Sequence, residues 1–388
     1  MRIQSIDLIR GVAILGILLM NIYSHGMLEF DYVLLSPSPL SDKIVISLNA
    51  LFFDGRFRTL LCLVFGAGLA IQYHKLNNEQ QNYQALIKAR LHWLLLFGFL
   101  HTVFIYAGDI LFMYAVSALF IVDKLSLPAE EMRKKALVYI SIGWVIGLLI
   151  ACFAALFPEQ EVFYRDSAEY LEAHNLWYGS YLYQIEMQFY AWLIGLAVIP
   201  TFFFLQISGV MLLGGYLYKT DFFTQGLSAK TMLKLCVIAS LIIGLDIYLR
   251  MVNEHRYFLL SHELANISGL LVGLVYASLL VKLVQANNAK VKLGLNWLSN
   301  AGKLSLTLYL TQSICMAILL RYIMPEFHLT AVRVDYLLIA AAFIGIQLLG
   351  AQMYFKCFNQ GPFEWLWRKF TLRTYRKVPK EAVEGETA

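Results

Sequence analysis

Charge is what this sequence has least of: 15% of its 388 residues are Asp, Glu, Lys or Arg, against 59% that are hydrophobic. Soluble domains carry roughly 25% charged residues, so the deficit excludes an ordinary soluble fold. A mean hydropathy of +0.63 points instead to a chain that crosses a bilayer repeatedly. The formal net charge of +5 comes from Lys and Arg scattered among apolar runs and short loops, not gathered on one basic face. A nucleic-acid partner is therefore not expected. Cysteine is also scarce. Cys62, Cys152, Cys236, Cys315 and Cys357 lie in or beside apolar segments without CxxC or Cys/His metal spacing, so they read as packing residues, and no metal is expected. Walker A, GxSxG, HExxH and GxGxxG signatures are absent, which leaves phosphate-loop, hydrolase-elbow and zincin chemistry without support. A cleavable leader is missing too. The first apolar run is too long, carries Asp7 and Arg10, and lacks a small-residue cleavage site, so Met1 is expected to stay.

What the chain does have is apolar runs of about 20 residues, the length that spans a bilayer. About ten recur, centred near Leu15, Val64, Phe97, Ser117, Gly143, Leu205, Ile242, Leu274, Leu310 and Phe343. Lipid offers no partner for free backbone groups, so each is expected to be a helix, and the fold an all-α polytopic bundle. The fourth is short, and a long one from Phe189 to Tyr218 is interrupted by Pro200. Positive charge orients them: Lys75, Lys88 and Arg90, then Lys124 with Arg133 to Lys135, then Lys219, Lys230 and Lys234, then Lys282, Lys290 and Lys292, and finally RKFTLRTYRKVPK, all fall in alternate loops. These should be cytoplasmic, with both termini inside. The other loops, holding Glu29, Asp31 and Asp42 or the acidic stretch from Pro158 to about Glu186, should face outward. Residues 1–370 read as one membrane domain, comprising an N-terminal part to 125, the outer loop 158–187 and a C-terminal part from 190; a polar tail, 371–388, follows.

An ionisable group inside a span costs a few kcal/mol and therefore marks a bundle interior, a pathway or a site. In the first span, Asp7, Arg10, Asn21 and His25 fall on one stripe at 100° per residue. Asp7 and Arg10 could equally be a snorkelling interfacial pair, and Asn21 interhelical glue. FFDGRFRTLLCLVFGAGLA opens the second span with Asp54, Arg56 and Arg58 around Gly55, where a break is expected; a charged interfacial turn is the bland alternative. GFLHTVFIYAGDILFMYA carries His101 into a tight outer turn that returns Asp109 to similar depth. A lone membrane histidine is usually a hydrogen-bonder, but imidazole beside carboxylate is also how a general base is tuned. Further on, AGKLSLTLYLTQSI holds Lys303, Thr307, Tyr309, Thr311 and Gln312, polar groups suited to a ligand or to helix packing. In GPFEWLWRKF, Glu364 precedes Arg368 by four residues, as in an amphipathic interfacial helix.

RIQSIDLIRGVAILGILLMNI, FFDGRFRTLLCLVFGAGLA, LFGFLHTVFIYAGDILFMYAV, GKLSLTLYLTQSI and GPFEWLWR together resemble the YeiB-like family of bacterial inner-membrane proteins, a family of unknown function. The resemblance runs from Arg2 to Arg368 with the motifs in the same order. The first two motifs are also similar in layout to heparan-alpha-glucosaminide N-acetyltransferase and related transmembrane acyltransferases. That likeness implies transfer of an acyl group from cytoplasmic acyl-CoA to an acceptor, commonly a sugar, across the membrane. Arg10 and Gly11 match the opening pair of that pattern, Asn21 its closing asparagine and Asp54 the acid that begins the second helix. His25 stands where those enzymes carry their catalytic histidine, at shorter spacing, whereas His101 and Asp109 belong to the YeiB-like pattern. Two positions depart from it: Arg56 replaces an expected lysine and Lys303 an expected arginine, and the second swap forfeits bidentate contact.

The expected division of labour is then an acyltransferase. His101 or His25 would be the base, Asp54 or Asp109 its orienting acid and Asn21 the oxyanion donor. Arg10, Asp7, Arg90 and Lys303 are the candidates for holding CoA, and Arg56, Tyr114, Thr307 and Gln312 for the substrate. The partners expected are the bilayer, a small-molecule substrate and a second copy of the chain. The rival classes are a transporter, in which the same buried groups bind solute or relay protons, and a scaffold in which they only join helices.

Overall fold

The computed structural model describes residues 3–26, 32–79, 82–157, 164–198, 203–286 and 289–375. Among them every regular element is a helix. α1 (Gln4–Asn21), α2 (Leu40–Phe52), α3 (Arg56–Asn78), α4 (Tyr83–Phe104), α5 (Leu111–Ile121) and α6 (Ala129–Ala154) come first. α7 (Ala168–Gly179), α8 (Tyr181–Val198), α9 (Phe203–Lys219) and a four-residue α10 (Phe222–Gln225) follow. Then come α11 (Ala229–Asn253), α12 (Phe258–Gln285), α13 (Ala289–Lys303), α14 (Ser305–Ile318), the short α15 (Phe327–Thr330), α16 (Arg333–Cys357) and α17 (Pro362–Tyr375).

Among the described residues, eight helical stretches are long and apolar enough to cross a bilayer: α1, α2 with α3, α4, α6, α11, α12, α14 with the turn after it, and α16. Two of the ten expected spans fall short of that length, α5 with 11 residues and α9 with 17. Both pack inside the bundle, where Ala115, Ala118, Ile121, Met211 and Leu212 are fully buried. The single long run expected from Phe189 to Tyr218 is two helices, α8 and α9; Pro200 between them lies outside the described residues, as do Glu29, Asp31, the loop start 158–163 and the tail beyond 375. About half of the described part of the loop expected to face outward is α7, and α8 begins within it.

Burial sorts the helices into centre and rim. In α1, 72% of the span is buried, against 17% in α11 and 22% in α16. The exposed side chains of the rim include Leu149, Leu241 and Ile346, an apolar surface suited to hydrocarbon. With no hydrophobic drive between helices in lipid, close packing must hold the centre. α1 and α13 cross where a Cβ on Gly11 would overlap the Leu298 carbonyl, and one on Gly302 the Asp7 carbonyl. The expected break before α3 is present: Gly55 has φ 75°, a left-handed conformation, and its bare Cα lies against the α12 backbone at Ala265 and Gly269.

Glu364 does not serve the role expected of it. Among the described residues it makes no ion pair with Arg368; its carboxylate accepts from Leu306 N–H at 2.8 Å and Thr307 N–H at 3.0 Å, and from the Thr307 hydroxyl. These are orphan donors of the first turn of α14, so α17 supplies the cap that α14 lacks in its own sequence. Glu364→Ala should therefore lower stability by about 1–2 kcal/mol, read as a fall in the thermal midpoint of the detergent-solubilised protein. An unchanged midpoint would show that water replaces the carboxylate at no cost.

Candidate functional site

The end of α4 builds the site. Ile105 and Tyr106 N–H groups both bond back to the His101 carbonyl, at 3.0 and 2.8 Å, which ends the helix and turns the chain towards α5. The turn delivers Asp109 to His101: Nδ1 and Oδ1 are 2.8 Å apart, and each side chain is 1% exposed. Asp109 is held in place from two sides. Its Oδ2 accepts from Phe112 N–H at 2.7 Å in the first turn of α5. Its Oδ1 accepts from Tyr309 Oη at 3.3 Å, while that hydroxyl accepts from Ile110 N–H at 3.1 Å. A carboxylate only accepts, so it keeps the imidazole proton on Nδ1 and leaves Nε2 as the basic nitrogen. Nε2 is buried and has no hydrogen-bond partner among the described residues.

His25 joins this pair through Tyr106. The His25 and Tyr106 rings lie 4.0 Å apart, Tyr106 Oη is 2.6 Å from Ser24 Oγ, and His25 is within electrostatic reach of His101. Its Nδ1 is likewise buried without a partner. Asn21 closes α1 nearby and is half-buried; its carbonyl accepts from Ser24 Oγ at 3.1 Å. Asp54 belongs to a different network: it pairs with Arg250 at 2.9 Å, and Arg250 also holds Asp246 at 2.8 Å. The acid expected to orient a histidine instead ties the α2–α3 turn to α11. Arg56, fully buried, donates to the Asp54 carbonyl in the same turn.

The remaining candidates join helices. Tyr114 donates to the Arg58 carbonyl at 3.0 Å and accepts from Cys62 at 3.1 Å. Thr307 is engaged by Glu364, and Gln312 donates to the Ile14 carbonyl at 3.0 Å and to Gln347 Oε1 at 2.8 Å. At the opposite end of α1 and α4, Arg10 pairs with Asp7 at 3.3 Å. Arg90 stacks on Trp367 at 4.2 Å and lies within electrostatic reach of Arg10 and Arg368. Lys303 donates to Asn300 Oδ1 at 3.0 Å. Arg90 precedes His101 by eleven residues on one helix, so this basic cluster and the dyad stand about 17 Å apart along the axis.

Sequence reasoning named Tyr309 without its partner and missed Glu263. Tyr309 completes the dyad from 200 residues away, a distance no spacing rule bridges. Asp109 also borders a cleft of about 370 Å³, walled by Phe112, Trp192 and Phe203 and reaching His262 and Glu263. Glu263, buried in α12, accepts from Gln206 at 2.9 Å and Asn266 at 3.3 Å. The signal was an acid in an apolar run, the same rule that singled out Asp7.

Residues 217–374 match a family described as a protein of unknown function, DUF418. Over nearly full length the chain is similar to three bacterial proteins. An uncharacterized 39.9 kDa protein in an amylase 3' region of Bacillus acidopullulyticus is 27% identical over 97% of this chain and 95% of its own. Uncharacterized protein YxaH of Bacillus subtilis is 25% identical over 98% and 96%. Uncharacterized protein YeiB of Escherichia coli is 26% identical over 95% and 96%. No solved structure matches significantly. Residues 217–374 thus carry the DUF418 match, and along almost the whole chain, on an all-helical fold with several membrane-length helices, the protein is similar to YeiB, YxaH and their uncharacterized relative.

Proposed function

We propose that the protein is a transmembrane acyltransferase that moves an acyl group from acyl-CoA on the cytoplasmic side to an extracytoplasmic hydroxyl or amine, such as that of a sugar. The observation that carries this reading is the buried His101–Asp109 pair, with Nε2 unpartnered among the described residues, set on the same helix as Arg90 of the basic cluster. The topology that goes with it is ten spans with both termini inside the bacterial inner membrane, so that Arg10, Arg90 and Lys303 face the cytosol and His101 and His25 the outside.

In this mechanism His101 Nε2 takes the acceptor proton as the acceptor oxygen or nitrogen attacks the thioester carbonyl. The carbon–sulfur bond breaks, and the thiolate leaves with a proton returned by the imidazolium. Asp109 stabilises that imidazolium, Tyr309 holds Asp109, and Asn21, at the end of α1, would donate to the oxyanion. Arg10 and Arg90 would engage the phosphates of CoA.

The test is titration of acetyl-CoA into purified, detergent-solubilised protein by calorimetry, with ATP as a control. Saturable binding is expected, and Arg10→Ala should weaken it about tenfold or more, the cost of a charge-assisted contact. Unaltered affinity in that variant would reduce Arg10 to an interfacial anchor. One observation favours a transporter instead: Glu263 is a buried acid facing a cleft, as in solute and proton pathways. Absence of CoA binding in folded protein would select that reading.

A further inference from the structure

Beyond the dyad, the outer cluster holds a positive charge that no carboxylate among the described residues neutralises. Arg321 is 5% exposed, and its hydrogen bonds go to neutral acceptors, the His25 carbonyl at 3.2 Å and Gln184 Oε1 at 3.3 Å. Its guanidinium lies 5.2 Å from the Trp177 ring, and among the described residues it makes no ion pair with a carboxylate. A buried charge without a counter-ion costs several kcal/mol and persists where a ligand supplies the opposite sign. Arg321 also sits mid-way in a π-helical turn, Leu319–Ile323, a distortion that recurs at functional sites.

Unsatisfied polar atoms collect around it. His25 Nδ1, Tyr178 Oη and His328 Nε2 are buried and without partners among the described residues. A Cβ on Gly26 would overlap the His328 ring, which seats that ring directly beside His25 in the chain. Arg165, also buried, donates to the Val33 and Ala331 carbonyls, at 2.7 and 2.6 Å. Burial, with Arg165, His174 and Arg321 close by, pushes His328 down to about 3, so it is neutral at physiological pH. Its Nδ1 is 2.6 Å from Tyr336 Oη; when that hydroxyl donates, Nε2 carries the proton and is a donor.

We infer that Arg321, flanked by His25, Tyr178 and His328, binds a phosphate group carried by the acceptor. Donors arriving from α7, the π-turn, the α15 segment and the end of α1 suit an anion with three oxygens better than a planar carboxylate, and α7 closes over them through Trp177 Nε1, which donates to the Gly26 carbonyl at 2.7 Å. The identification as part of the acceptor rests on the acyltransferase reading; the anion site itself does not.

The experiment is a thermal-shift titration of delipidated, detergent-solubilised full-length protein with inorganic phosphate, and separately with phosphatidic acid against diacylglycerol. Saturable stabilisation by at least one phosphate probe is expected, weakened tenfold or more by Arg321→Gln and unchanged by Arg10→Ala. A response to inorganic phosphate identifies a water-borne headgroup, and one confined to phosphatidic acid a lipid-borne one. No response in folded wild-type protein, an equal response in Arg321→Gln, or loss in Arg10→Ala instead would overturn the inference. If Arg321→Gln does not fold, His328→Gln carries the test: a severalfold loss is expected, and unchanged affinity overturns it. Acetyl-CoA titrated into the same preparations separates the two ideas, because CoA binding can fail while the phosphate response stands, and the reverse.

Discussion

His101→Ala is expected to lower acyl transfer by a factor of about 10²–10⁴, the usual contribution of a positioned general base, while leaving acetyl-CoA affinity unchanged. The separation follows from the geometry: the imidazole is eleven residues along α4 from Arg90 and touches none of the basic cluster. Asp109→Asn makes the companion test. An amide in place of the carboxylate can present its NH₂ to Nδ1, which then moves the imidazole proton to Nε2 and leaves no base. The loss in Asp109→Asn should approach that in His101→Ala, and the double variant should be no worse than the single ones, because the two act as a unit. Turnover that survives in either variant, in protein that still binds CoA, would remove the pair from the mechanism and turn attention to His25.

How far the site was legible depended on sequence separation. His101 and Asp109 are eight residues apart across a tight turn, and local geometry alone brings them together. The Asp7–Arg10 pair, three residues apart on one helix, was equally plain. Partners on distant helices were not, because a sequence gives the depth of a residue in the membrane but not the rotation of its helix. Asp54 is expected at the same depth as His101, yet its face of the α2–α3 turn looks to Arg250. Tyr309 was visible as a polar residue in an apolar helix without any sign that it met Asp109. The fold failed to declare itself in the same way. α2 and α13 fall below the length of a clear apolar span, with 13 and 15 residues, although α13 makes the closest helix contact with α1.

That contact carries the largest expected effect on stability. A Cβ at Gly302 would overlap the Asp7 carbonyl and approach Gly11 N to 2.8 Å, so the obstacle is backbone on both sides and cannot swing aside as a side chain would. Gly302→Val therefore has to push α13 and α1 apart, at about 3 kcal/mol or more, and the expected result is loss of monodisperse protein or a large fall in thermal midpoint. Gly294 lies on the same helix with nothing within 4 Å of its Cβ position. Gly294→Ala should be neutral or raise stability by up to about 1 kcal/mol, since only helix propensity changes there. If both substitutions behaved alike, the α1–α13 crossing would not be what holds the centre. The crossing also bears on function, because Arg10 immediately precedes Gly11 and Lys303 immediately follows Gly302. Gly11→Ala should consequently weaken acetyl-CoA binding and stability together, whereas Arg10→Ala weakens binding alone: in the arginine–glycine pair that opens the chain, the glycine sets the distance to α13 and the arginine carries the charge.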